Sequence, residues 1–204
     1  MLIKCNGDKK FIFVANKKCA STSIVNSNIA EIADIKLTSA LVGRHMSIEE
    51  IYETFRFIFE KDNFGFNKFF KFGIIRDPLE WIISWYNFYS GLAHTEEMTF
   101  ADFFHTKPHV AKPQSVFFIS SKYESVKVDY LARYEYLMKD LSRIRKNLGL
   151  ETLEIPTLNQ SWDRKIFSHS IEKSLKQEIE ERYRNDYDLI ENLDLFNAKS
   201  LQLL

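Results

Sequence analysis

Two periods of apolar residues run through this chain. Lys10–Ala15 (KFIFVA) is a β-branched and aromatic run of strand length, and Lys68–Ile75 (KFFKFGII) is a second. After the first comes a polar loop, NKKCAS, and then a stretch in which Val25, Ile29, Ile32 and Ala33 share one helical face. Ser47-Ile-Glu-Glu50 reads as a capping box that opens an amphipathic helix through about Glu60. Asp77 suits an N-cap and Pro78 the first position of a helix that runs through WIISWYNFY to about Ser90. Farther on, the pattern predicts a short capped helix at Thr99–His105, a third strand at Val126–Ala132 and a helix from Glu135 to Leu148 that stops at Gly149. Residues 156–169 read as irregular, and Ser170–Arg184 as a last long helix. Strands alternating with helices predict a layered α/β architecture around a parallel sheet. No repeat, low-complexity stretch or linker divides the 204 residues, so a single domain over 1–204 is expected.

Composition narrows the picture in three places. Apolar residues at 45% and charged residues at 27% suit a globular chain, while 15% aromatics, 18 of them Phe, imply a Phe-rich core. Lys plus Arg and Asp plus Glu are both 28, so the net charge is zero and no general attraction to nucleic acid or anionic membrane is expected. An anion site must then be a local cluster. Two cysteines are too few for a disulfide framework, which points to a reducing compartment. Phe11–Ala15 is too short and too closely flanked by Lys for a signal peptide, and no run reaches transmembrane length. A cytoplasmic location is the expectation. The oligomeric state is left open.

The loop after the first strand carries the first candidate chemistry. Strand, short loop and helix start form an anion cradle, because unpaired backbone N–H groups and the helix's positive end face outward together. Lys17, Lys18, Ser21, Thr22 and Ser23 add cations and hydroxyls to that turn. Taken alone, the segment is equally a basic loop with a Ser/Thr helix cap. The nucleotide P-loop pattern GxxxxGK[ST] does not fit, since residues 16–23 hold no glycine and the lysines precede the small residues. The order K-x-A-S-T-S instead resembles the 5′-phosphosulfate-binding loop of sulfotransferases that use 3′-phosphoadenosine 5′-phosphosulfate (PAPS), especially the bacterial and carbohydrate-type branch. That resemblance implies Lys18 as the catalytic lysine, with Ala20, Ser21, Thr22 and Ser23 around the 5′-phosphate. Lys17 stands where the family usually has proline, which leaves open which lysine faces the donor; the register of the small residues favours Lys18. Cys19, in the same loop, is expected to be exposed beside these cations.

The second candidate is IIRDPLEWIISWYNFY. Arg76 ends a strand and Ser84 follows eight residues on, the separation of the Arg and Ser of the family's 3′-phosphate element. A guanidinium fork suits a terminal phosphate and a hydroxyl adds one donor. Trp81 occupies a position where the family often has a second arginine. Weaker likenesses continue at His45, Gln114, Arg133-Tyr134-Glu135, Asn159 and Asp186-Tyr187, so the resemblance covers most of the chain. It implies a P-loop-NTPase-like three-layer fold, with a central, mostly parallel sheet flanked by helices.

By the same resemblance the reaction is O-sulfation: a sulfuryl group passes from PAPS to a hydroxyl of an acceptor, best matched by a saccharide, leaving 3′,5′-diphosphoadenosine. A metal is not required, because a sulfuryl group carries one negative charge, and no metal-ligand cluster stands out. His45, ahead of the Ser47 cap, is the candidate base, with His109 in reserve. Arg164 and Lys165 could close on the 3′-phosphate as a basic flap. Two other readings remain at this point: a P-loop kinase or other nucleotide phosphotransferase, which needs Mg²⁺ and a triphosphate, and a non-catalytic relative that binds the donor without turnover.

Overall fold

A computed structural model describes residues 1–39, 41, 43–90, 98–156 and 168–201, and in these five strands form one sheet. They are β1 (Leu2–Lys4), β2 (Phe11–Val14), β3 (Ile35–Lys36), β4 (Phe70–Ile75) and β5 (Tyr130–Arg133), in the order β3-β1-β2-β4-β5. β2, β4 and β5 are parallel, with Phe13 opposite Phe72 and Ile75 opposite Arg133. β1 pairs antiparallel with both β2 and β3, making the sheet mixed. The parallel half matches the expected strands. The antiparallel edge, two and three residues long, is too short to show a period.

Side-chain alternation on the strands separates two cores. Phe11, Phe13, Phe70, Phe72, Ile74, Tyr130 and Ala132 point to one face. That face is covered by α1 (Ser21–Val25), α2 (Asn28–Glu31), α5 (Pro78–Ser90), α6 (Phe100–Thr106), α7 (Leu137–Leu148) and α8 (Lys173–Arg182). Ile12, Val14, Ile75 and Leu131 point to the other, against α3 (Ile48–Thr54), α4 (Arg56–Phe59), α9 (Arg184–Glu191) and α10 (Leu193–Leu201). The result is a three-layer α/β sandwich. At Gly73 the second core packs tightly on the sheet: a Cβ there would clash with the Phe118 ring.

Several boundaries differ from the sequence pattern for local reasons. The helix expected after the first loop breaks at Asn26-Ser27, because Ser27 Oγ donates to the Ile24 carbonyl and accepts from Ile29 N–H, capping α2. Ile29 and Ala33 are buried as the pattern requires. The capping box at Ser47 and Glu50 is formed, and its helix is interrupted once, at Phe55, before ending at Glu60. The third strand begins at Tyr130 rather than Val126, since Lys127 is used in an antiparallel bridge to Ile119. Gly149 takes the left-handed conformation that ends α7. The last expected helix starts at Lys173, turns at Tyr183 and continues through α9 and α10. Arg164, Lys165 and Asn159 lie outside the described residues.

Candidate functional site

β2, β4 and β5 run in parallel, so their carboxyl ends open on one edge of the sheet, where ligands of α/β folds bind. β2 leads into the loop Asn16–Ala20 and β4 into Arg76-Asp77. Within the loop, Lys18 (φ +58°) and Ala20 (φ +53°) are left-handed although neither is glycine. Each such residue costs roughly 1–2 kcal/mol. Left-handed residues alternating with right-handed ones gather successive N–H groups into a concavity suited to an anion. Nothing in the composition of NKKCAS signals this, since glycine is absent.

Three tethers hold the strained loop. Trp81 Nε1 donates to the Lys17 carbonyl (2.8 Å) and so fixes the loop backbone. Asn16 Nδ2 donates to Gln114 Oε1 (3.0 Å). Cys19 is buried rather than exposed, its Sγ 3.2 Å from Asn16 Nδ2 and 3.5 Å from Gln114 Oε1. Burial pushes that thiol up, so it stays a protonated packing group.

Gln114 binds the other strand end as well. Its Oε1 accepts from Arg76 N–H (3.2 Å) and its Nε2 donates to the Arg76 carbonyl (2.7 Å). One fully buried amide therefore joins the loop after β2 to the end of β4. The carboxylate of Asp186, from α9, accepts Gln114 N–H (2.7 Å) and Ser115 N–H (2.8 Å) and holds this segment in turn.

The cations meet on this frame. Lys18 is half-buried, its ammonium 4.2 Å above the Phe88 ring and 6.0 Å from that of Trp85. Burial and then the neighbouring Arg76 charge lower its pKa. Among the described residues it makes no ion pair. Arg76 is buried, stacked 4.4 Å over Tyr134 and 3.7 Å from Glu80, and its Nε has no hydrogen-bond partner among the described residues. Asp77 Oδ1 accepts Glu80 N–H (3.0 Å), the N-cap expected for α5. Ser84, half-buried, lies one helical turn before Phe88 on the same side of α5. Ser21 and Ser23 are buried and Thr22 is partly exposed at the start of α1.

His45 joins from the turn before α3. Its Nδ1 lies 2.7 Å from the Ala15 carbonyl, which can only accept, so Nδ1 carries the proton and Nε2 keeps a lone pair. Burial lowers its pKa to about 4, with Arg44, Lys17 and the terminal amine adding to the drop and the Ala15 bond opposing it. His109 stacks 4.9 Å from Trp85 on the rim, and His105 pairs instead with Glu178. Arg44, which sequence reasoning passed over, donates from Nη2 to Thr22 Oγ1 (2.6 Å). Its place directly before His45 was the available signal.

Among the described residues no group of three or more His, Cys, Asp or Glu could hold a metal ion, and no helix is long and apolar enough to cross a membrane. Neither a curated protein nor a solved structure matches the chain. A family model, described as the sulfotransferase family, matches residues 2–191. With that match spanning both strand ends and the helices that close over them, the chain belongs to the sulfotransferase family.

Proposed function

We propose that this sulfotransferase takes its sulfuryl group from PAPS and passes it to a hydroxyl oxygen, with the loop after β2 holding the 5′ end of the donor and Arg76 its 3′-phosphate. The observation that carries the reading is the shared frame: the Arg76 charge acts on Lys18, and Gln114 binds the Asn16 side chain of one segment and the Arg76 backbone of the other. The unpartnered Nε of buried Arg76 fits a group that waits for an anion.

Each residue then has a chemical task. The acceptor oxygen attacks sulfur in line; a new S–O bond forms as the bond to the 5′-phosphate breaks, and that electron pair stays on the phosphate oxygen. Lys18 and the loop N–H groups stabilise the charge gathering there, which is the largest kind of contribution such sites make. His45 Nε2, with its lone pair free, takes the acceptor's proton. A pKa of about 4 by itself makes a weak base. The donor's several negative charges favour the imidazolium and raise it toward the working range. Ser84 of α5 is proposed to add one hydroxyl donor to the 3′-phosphate. The likeness to the carbohydrate-type branch makes a saccharide hydroxyl the proposed acceptor.

Thermal unfolding with nucleotides tests this. 3′,5′-diphosphoadenosine should raise Tm by mass action, with ATP and Mg²⁺ far behind. A larger shift with ATP and Mg²⁺ would replace this reading with a phosphotransferase.

A further inference from the structure

The turn before α3 makes two adjacent bonds to the donor loop. His45 reaches the Ala15 carbonyl where the loop begins, and Arg44 reaches the Thr22 hydroxyl where it ends. A guanidinium only donates, so in the Arg44–Thr22 bond the hydroxyl oxygen must accept. One lone pair of the Thr22 oxygen is taken by Arg44 Nη2, so the O–H proton points away from Arg44. Among the described residues it has no acceptor. A charged donor on the oxygen also polarises the O–H and makes it a stronger donor.

We propose that Arg44 is a positioning residue of the transfer site, engaging the oxygen of Thr22 so that the Thr22 O–H is aimed at the 5′-phosphate of the bound donor. The inference rests on the donor reading above and names a residue beyond the two motifs that support it. Arg44 is poorly compensated for a structural cation. Among the described residues it makes no ion pair and its buried Nε has no partner, and it loses solvation. A guanidinium kept for stability alone would have a carboxylate or a full set of acceptors. Its charge has a second effect on the same turn, since Arg44, Lys17 and the terminal amine together disfavour the protonated form of His45.

Calorimetric binding of 3′,5′-diphosphoadenosine tests the coupling. Arg44→Gln should weaken binding about tenfold in the wild-type background and in Thr22→Ser, which keeps the hydroxyl. In Thr22→Val, which lacks it, the same change should cost less than twofold. The melting temperature of Arg44→Gln should stay within a few degrees of wild type, and the acid limb of turnover should move to higher pH, two results that a purely structural arginine would not give. Equal losses in the Val and Ser backgrounds, or unchanged binding in Arg44→Gln, would overturn the role through Thr22. Wild-type protein that fails to bind the nucleotide would overturn the donor reading as well, whereas intact wild-type binding with an unaffected Arg44→Gln overturns this inference alone.

Discussion

At His45 the protonation state of the ring is visible in solution. Nδ1 is held by the Ala15 carbonyl, while burial and three nearby positive groups keep the ring neutral down to about pH 4. An unfolded histidine titrates near 6.5. Between about pH 6.5 and 4 the unfolded chain therefore binds the extra proton and the folded chain does not, so stability from this group is full above that window and is lost as pH falls through it. Replacing His45 with Asn should flatten the fall in Tm over this range; an unchanged pH dependence would mean that the ring is not held neutral. Lys18→Ala should lower donor-dependent kcat/KM by tenfold or more, on the order of 1.4 kcal/mol, with acceptor affinity little changed. Turnover at the wild-type level in that variant would remove the lysine from the chemistry.

The pieces around these residues were legible to different degrees. β2 and β4 stood out because each is fully buried and reads as a short apolar run, broken in β4 only by Lys71, and α3 and α5 announced themselves through Ser47-Glu50 and Asp77-Pro78. Lys18 and Arg76 could be found because each follows such a strand. Gln114 could be noticed only as a likeness, since its partners Asn16 and Asp186 lie 98 and 72 positions away. No window of sequence holds that geometry. The left-handed loop was hidden for a different reason: tertiary tethers impose it on residues that do not favour it. Gln114→Leu tests the frame they make. It strips the partners from both backbone groups of Arg76, out of solvent, at about 1–3 kcal/mol per orphaned group, leaves Asn16 Nδ2 with Cys19 Sγ alone, and so should lower the urea midpoint clearly. Because both ends of the site lose one anchor, donor KM should rise together with the stability loss; a stability loss with donor KM intact would show the amide to be packing alone.

At the scale of the whole molecule, positive and negative side chains balance at 28 each, so anions have no general reason to gather. Locally the balance fails: Lys18 is depressed by burial and by the Arg76 charge, and Arg44 has no ion pair among the described residues. Cations gathered in this way repel one another, and a small dianion bound between them relieves that repulsion. Sulfate also stabilises proteins in general by exclusion from their surfaces, so the raw effect of the salt decides nothing. The difference between wild type and a Lys18→Ala, Arg76→Ala double variant isolates the specific part, because exclusion acts on both alike. With a Kd of about 10 mM, sulfate at about 100 mM contributes about 1.4 kcal/mol by mass action. At about 2–4 °C per kcal/mol for a chain of this size, wild type should gain roughly 3–6 °C more than the double variant, measured against sodium chloride at equal ionic strength. Equal gains would mean that the two cations do not share an anion site, and the proposal that one donor spans the ends of β2 and β4 would fall with that result.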